Sequence, residues 1–254
     1  MAERDRSITI VIPARFGSSR FPGKPLIPLA GKPLIQHVYE RAQGCTGVRR
    51  VIVATDDRRI EEAVLRFGGD CIVMTETYRT GTDRVAGIAR ETPGNVFVNL
   101  QGDEVLLEPN LLGDLIGPFL HSGAGIGTLK RPISVEADIH NPAVVKVVTD
   151  QAGEALFFSR AAVPHIRDLD AKASPIGQYF VHLGVYIYTR AALERFTSLP
   201  TGRLEEVEKL EQLRALEYGI PIRVWETRHP SLRVDTPEDA VEAARFLERY
   251  APCR

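Results

Sequence analysis

Short apolar runs alternate with helically spaced stretches through the first half of the chain. Ile8–Ile12, Val51–Ala54, Cys71–Met74 and Val96–Leu100 are strand-sized and lack polar alternation. Unbroken apolar runs of this kind are how parallel strands covered on both faces read. Between them Pro33–Gln43, Arg58–Phe67 and Asp83–Arg90 carry helical spacing, with Pro33 suited to a first turn. Alternating units of this size predict an α/β fold with a doubly wound, mostly parallel sheet. The second half changes character. Ile126–Lys130, Val144–Val148, Ala155–Phe158 and Leu183–Tyr188 read as strands with few helices between them. They predict a smaller mixed or antiparallel extension, at about 126–190, where substrate is held or two subunits meet. A charged helix over Leu204–Tyr218, a strand at Ile222–Trp225 and a last helix complete the pattern. Thr236-Pro237-Glu238-Asp239 starts that helix with Thr at the cap, Pro at the first position and an acid three residues after the cap. There is no repeat and no clear linker, so one domain over residues 1–254 is expected.

Composition narrows the classes. A formal net charge of -1 gives no global attraction to nucleic acid or to an anionic membrane, so any phosphate chemistry rests on local basic groups. The opening Met-Ala-Glu-Arg-Asp-Arg lacks the apolar run of a signal peptide, and the apolar stretches are too short to cross a bilayer. Cys45, Cys71 and Cys253 are scattered, without metal-like pairing, as in a protein of a reducing compartment. A cytoplasmic protein, with no nucleic-acid or membrane partner, is the expectation. Basic and aromatic residues are too dispersed for a nucleic-acid surface. No Gly-x-Ser-x-Gly elbow and no His-Glu-x-x-His helix is present.

The candidate chemistry begins at the exit of the first strand, the end of an open α/β sheet where ligands gather. There Pro13-Ala-Arg-Phe-Gly-Ser-Ser-Arg-Phe-Pro-Gly-Lys-Pro25 places Arg15, Arg20 and Lys24 among small residues. Glycine and serine let backbone N–H groups approach an anion, and the cations supply charge for phosphate oxygens. It is not a P-loop, because five residues separate Gly17 from Gly23 and Pro25 follows Lys24. The glycine fingerprint of a dinucleotide loop is also missing, which removes a nicotinamide-dependent enzyme. Gly123-x-Gly125-x-Gly127 precedes a strand and reads as a flexible turn.

The loop, Ile12-Pro-Ala-Arg15 to Ser19-Arg20-Phe-Pro-Gly-Lys24-Pro-Leu, resembles the nucleotide loop of the 3-deoxy-manno-octulosonate cytidylyltransferases, or CMP-Kdo synthetases. Further segments match that family in the same order. They are Gly81-Thr-Asp-Arg84, Val98-Asn-Leu-Gln-Gly-Asp-Glu104, Asn141-Pro142 with Val145-Lys-Val-Val148, Phe158-Ser-Arg160, His182-Leu-Gly-Val-Tyr186, Leu210-Glu-Gln-Leu-Arg214 and Val234-Asp-Thr-Pro-Glu-Asp239. The resemblance runs from Ile8 to the final helix. It departs at Val105, where Pro is usual, at Thr80, where Ser is commoner, at Pro200-Thr-Gly-Arg203, and at Leu232-Arg233, where a Gly is common.

The resemblance implies a Rossmann-like nucleotidyltransferase that moves CMP from CTP to the anomeric hydroxyl of the eight-carbon acidic sugar Kdo. It further implies release of pyrophosphate, dependence on Mg²⁺, a homodimer, and a role in lipopolysaccharide assembly. Asp103, just past an apolar strand, and Asp235, just before the last helix, are placed as loop carboxylates should be for Mg²⁺, which takes few protein oxygens. Lys24 and Arg20 join them as candidate catalytic residues. Arg15, Lys24, Gly81, Thr82, Arg84 and Gln101 are expected at the nucleotide, Thr82 doubling as a possible helix cap. Gln101, Arg160, His182, Tyr186, Glu211 and Gln212 match the family's sugar positions. His182 and Tyr186 also fit a core edge, Glu211 and Gln212 a solvated helix face, and Glu104 either a supporting role or exposure. Two alternatives remain at this level: a cytidylyltransferase for another acidic sugar, such as 8-amino-Kdo or a sialic-type acid, and a non-catalytic nucleotide-binding module.

Overall fold

The computed structural model describes residues 7–17, 21–105, 109–167 and 174–249. The chain divides into two compact units, Met1–Gly113 with His229–Arg254, and Asp114–Arg228.

The first unit is the expected parallel sheet. Strand β1 (Ile8–Ala14) is followed by a two-strand ribbon, β2 (Pro28–Leu29) and β3 (Lys32–Pro33), then α1 (Leu34–Gln43). Next come β4 (Val48–Thr55), α2 (Arg58–Arg66), β5 (Cys71–Val73), α3 (Gly81–Glu91) and β6 (Val96–Asn99). β1 pairs in parallel with β4 and with β6, and β4 in parallel with β5. Ile10, Val11, Ile12, Ile52, Val53 and Ala54 are fully buried, which is why these strands carry no polar alternation. The chain winds outward from β1 through β4 to β5 and then returns to the other flank of β1 as β6. That reversal opens a crevice at the carboxyl ends of β1 and β6. Cys45 is buried and Cys71 half-buried, both free thiols, and burial pushes them up to about 11 and about 12, which keeps both protonated and inert.

The second unit is mixed. The helix α4 (Pro109–Ser122) contains the division between the units and leads to β7 (Ile126–Pro132), α5 (Ala137–His140), β8 (Lys146–Thr149), β9 (Ala155–Ser159) and β10 (Phe180–Thr189). Then follow α6 (Arg190–Ser198), α7 (Arg203–Glu208), α8 (Leu213–Glu217) and β11 (Arg223–Glu226). β7 runs antiparallel to β10 and parallel to β11, while β8 is antiparallel to both β9 and β10. The final helix, α9 (Pro237–Arg249), returns to the first unit. Among the described residues no helix is long and apolar enough to cross a membrane.

Three sequence expectations change here. α4 and α6 were not anticipated; α4 carries Pro118, Gly113 and Gly117, which read as breakers. Gly127 is no turn residue but lies inside β7, where a Cβ would stand 2.5 Å from the Trp225 ring. The single helix expected over Leu204–Tyr218 is two short helices, broken at Lys209 in the left-handed conformation with φ 53°. The cause is a buried ion pair. Arg214 Nε donates to Glu205 Oε2 at 2.7 Å and Nη2 to Oε1 at 2.6 Å. On a continuous helix residues nine apart stand about 13–14 Å along the axis, beyond the reach of that fork. The break folds α8 back so that the pair closes, with the guanidinium also over the Phe196 ring at 5.0 Å.

The Arg214 side chain is 1% exposed and Glu205 11% exposed. Arg214→Leu therefore strands a buried carboxylate and should destabilise the chain by about 3–5 kcal/mol, read as a lower urea midpoint. Glu205→Leu with Arg214→Leu should recover a large part of the loss.

Candidate active site

The loop leaving β1 is closed on itself before it delivers its cation. Gly23 N–H donates to the carbonyl of Phe16 at 2.9 Å, and Gly23 takes φ 71°, where a side chain would be strained and its Cβ would meet the Phe16 ring at 3.1 Å. Arg59, from α2, covers the Phe16 ring at 3.4 Å while paired with Asp57. The chain then makes one 3₁₀ turn, Lys24–Leu26, that turns Lys24 inward. Lys24 Nζ donates to Asp103 Oδ2 at 2.6 Å and to Asp235 Oδ1 at 3.2 Å. The residues named from sequence as the catalytic pair of carboxylates thus meet on one ammonium. Pro13, Ala14, Arg15, Gln101, Gly102 and Arg233 complete the cleft around them. Arg20 lies outside the described residues.

A backbone clasp brings the two carboxylates together. Residues 103–105 pair with 232–234: Val234 N–H donates to Asp103 O at 3.0 Å, Val105 N–H to Leu232 O at 3.0 Å, and Glu104 bridges Arg233. A proline at 105 would have no N–H for this bond. Asp239 Oδ2 accepts from the N–H groups of Asp235 and Thr236 at 2.8 and 2.9 Å, and Asp239 N–H donates to Thr236 Oγ1, so the expected capping box also fixes Asp235. Arg233, not singled out as a functional group by the sequence, adds a second cation, its Nε 3.2 Å from Asp103 Oδ2 and 3.4 Å from Asp235 Oδ2. Glu104 is buried rather than exposed; Ser231 Oγ donates to it, and burial, followed by the Asp103 charge, raises its pKa. Asp103 Oδ1 is buried and accepts no hydrogen bond.

A second cleft in the same unit is lined by Arg15, Gly81, Arg84 and Gln101 together with Tyr78, Arg79 and Thr80. Here the helix cap is Thr80, whose Oγ1 accepts from Asp83 N–H at 3.1 Å, and not Thr82. Thr82 is buried inside α3, where its hydroxyl accepts from Asn99 Nδ2 at 3.0 Å. Gly81, at the first helical position, lines the wall, with space for no more than a small side chain against Pro13 and Gln101. Arg84 is anchored through Nη2 by Asp56, and its Nη1 is buried without a hydrogen-bond partner. Asp56 is a supporting residue that no motif pointed to, and Asn99, though inside the Val98–Glu104 segment, was given no role from sequence.

The positions expected at the sugar lie in the second unit, apart from Gln101. His182 and Tyr186 share a face of β10, ring centroids 5.3 Å apart, across an irregularity in the pairing between Leu183 and Tyr186. Thr128 Oγ1 spans that irregularity, 2.7 Å from Val185 O and 3.1 Å from Leu183 O, and lies 3.2 Å from His182 Nε2. Burial raises the Tyr186 phenol, reinforced by Tyr188 and Glu211. Arg160 is held by backbone carbonyls. Its Nε donates to Glu208 O at 2.8 Å and its Nη1 to Pro142 O at 2.8 Å. Lys146, fully buried, donates its ammonium to the carbonyls of Asn141, Val144 and Arg160 at 2.6–2.9 Å. Glu208 in turn accepts from Ser159 Oγ and Arg160 N–H. Glu211 and Gln212 sit in the turn between α7 and α8 rather than on a helix face.

Burial lowers the His182 pKa from 6.5 to about 3, so the ring is neutral in the folded chain at any physiological pH. Unfolding frees it to take a proton below its ordinary value, so the unfolded state binds more protons between those limits and stability falls as pH drops through 6.5 toward 3. The His182→Gln chain should show a flatter melting temperature between pH 7 and pH 5 than the parent, measured by scanning fluorimetry.

A family model described as Cytidylyltransferase matches residues 9–224. The 3-deoxy-manno-octulosonate cytidylyltransferase of Trichlorobacter lovleyi is 49% identical over 249 residues, 95% of this chain and 99% of that one. That of Anaeromyxobacter dehalogenans is 50% identical over 244 residues, 95% and 98% of the two chains. A solved structure of CMP:2-keto-3-deoxy-manno-octonic acid synthetase complexed with CTP superposes with TM-score 0.88 at 40% identity, covering 96% of this chain and 99% of that one. A putative glucose-1-phosphate thymidylyltransferase from Bacillus anthracis, at 14% identity and TM-score 0.68, shares the fold. Fold, ordered motifs and full-length likeness agree: the chain belongs to the 3-deoxy-manno-octulosonate cytidylyltransferase family.

Proposed function

We propose that the chain transfers CMP from CTP to the anomeric hydroxyl of Kdo, releasing pyrophosphate, as a cytoplasmic, Mg²⁺-dependent homodimer that supplies lipopolysaccharide assembly. The observation that carries the reading is the meeting of Lys24 with Asp103 and Asp235 in a cleft shared with Arg15, Gln101 and Arg233. A triphosphate needs clustered cations, and a hard divalent ion needs carboxylate oxygens beside them.

In the transfer, the anomeric hydroxyl gives up its proton to solvent as its oxygen bonds to the α-phosphorus, and the bond from that phosphorus to the α–β bridging oxygen breaks, so that pyrophosphate leaves. Positioning and electrostatics carry such reactions. Arg15 and Lys24 draw the triphosphate to the crevice, and Lys24 counters charge that develops on the leaving pyrophosphate. The backbone around Gly81 and the side chain of Gln101 read the base, with Arg84 held in place by Asp56. Neutral His182, Tyr186, Glu211 and Gln212 offer the mixed donors and acceptors that sugar hydroxyls require. Asp103 and Asp235 would hold Mg²⁺, and the buried, unbonded Asp103 Oδ1 fits that role. The ion supplies charge neutralisation on the α-phosphate and a lower pKa for a hydroxyl beside it.

Pyrophosphate release with CTP and a panel of acidic sugars tests the substrate. Kdo should give turnover, whereas release with a sialic acid but not with Kdo would refute the sugar assignment, and CTP binding without turnover on any sugar would refute catalysis. Asp103→Asn and Asp235→Asn should each lower kcat by at least about a hundredfold while the chain stays folded by circular dichroism. EDTA should abolish turnover and Mg²⁺ restore it.

A further inference from the structure

The two carboxylates proposed as metal ligands are already neutralised by the chain itself. Lys24 and Arg233 divide them: both cations contact Asp103 Oδ2, Lys24 takes Asp235 Oδ1, and Arg233 takes Asp235 Oδ2. Among the described residues, Lys24 and Arg233 offset the charge of these two carboxylates, which weakens their pull on a divalent ion in water. A metal that entered beside both cations would meet like-charge repulsion at contact distance, where such terms are large in a partly buried site.

The two cations are not held alike. Lys24 is 14% exposed and 2.6 Å from its nearest carboxylate oxygen, whereas the Arg233 side chain is 49% exposed with contacts of 3.2 and 3.4 Å. Arg233 is the looser partner and has open solvent to move into. Its backbone stays pinned by the bridge to Glu104, so the guanidinium can swing without the strand letting go. It borders the same cleft as Arg15 and Lys24, and its planar fork suits two phosphate oxygens at once.

We infer that Arg233 is an exchangeable counter-ion of the metal seat: it holds Asp103 and Asp235 while no divalent ion is bound, and passes to phosphate oxygens of the nucleotide when one enters. Metal and triphosphate then bind as a coupled pair, because each provides a partner for the charge that the other displaces. Arg233 is in this sense a positioning residue for the carboxylates and a ligand for the nucleotide in turn. The inference rests on the metal-seat reading given under the proposed function.

The test is Mn²⁺ titration of the nucleotide-free full-length chain, with free Mn²⁺ read by electron paramagnetic resonance. Arg233→Gln and Arg233→Met should each bind Mn²⁺ several-fold to about tenfold more tightly than the parent, and about tenfold corresponds to 1.4 kcal/mol. Arg233→Lys, which keeps the charge, should return the weak binding of the parent. With saturating Mg²⁺ the uncharged variants should bind CTP several-fold more weakly by calorimetry. Their melting temperature should also rise more than the parent's when Mg²⁺ is added without nucleotide, which a purely structural arginine would not produce. If Asp235→Asn abolishes Mn²⁺ binding while Arg233→Gln and Arg233→Met bind it no better than the parent, the counter-ion role is overturned and the seat stands. Mn²⁺ binding that survives unchanged in Asp235→Asn overturns the seat itself, and the counter-ion role with it.

Discussion

Two aspartates side by side in a half-buried cleft repel each other, and everything around Asp103 and Asp235 serves to hold them there regardless. Lys24 is shared between them at 2.6 and 3.2 Å, so its ammonium is the common counter-charge of the site. The ammonium reaches that point only because Gly23 adopts a left-handed turn and Phe16 closes the loop behind it. The carboxylates reach it because residues 103–105 and 232–234, far apart in sequence, are hydrogen-bonded to each other. Remove the ammonium and the half-exposed Arg233 is the cation left, among the described residues, to offset both anions; remove the clasp and the ammonium would have one partner. The interaction is weak evidence for stability and strong evidence for purpose, since burying charges costs more than packing apolar groups in their place.

The parallel sheet provides the frame. Reversal of winding at β1 and β6 leaves a crevice into which the β1 loop sends Arg15 and Lys24, and the β6 exit sends Gln101 and Asp103. The last helix adds Asp235 by way of its own cap, so one capping box both starts α9 and aims a carboxylate. Support for the second cleft comes from a polar chain inside the unit, with Asn99 donating to Thr82 and receiving a long contact from Gln101. Local rules of turn, cap and strand end thus converge on one place.

Much of this was legible in the sequence, and what was not has a physical reason. The β1 loop, Asp103, Asp235 and the cap at Thr236 announce themselves because each depends on neighbours a few residues away. Arg233, Asp56 and Asn99 do not, because their partners are brought to them by topology. Thr80 and Thr82 look alike on paper; only the register of α3 decides that the first caps and the second is buried. The break at Lys209 was hidden because its cause, the Glu205–Arg214 pair, is a tertiary contact that overrides helical propensity. α4 was missed for the converse reason: its glycines and proline advertise a break that the fold does not make. Arg160 matches a sugar position in the sequence, and the backbone carbonyls that also engage it leave no trace in side-chain chemistry.

The cage around Lys146 carries this point furthest. Its ammonium is enclosed by carbonyls of Asn141, Val144 and Arg160, groups that every amino acid provides equally well. Such a receptor for a positive charge is specified by the path of the chain and not by its lettering. Neighbouring side chains can therefore drift as far as their own contacts allow without disturbing it, while the lysine itself has no substitute of the same reach and charge. One side chain at the start of β8 is fixed by electrostatics, and its ligands are fixed by the course of the backbone.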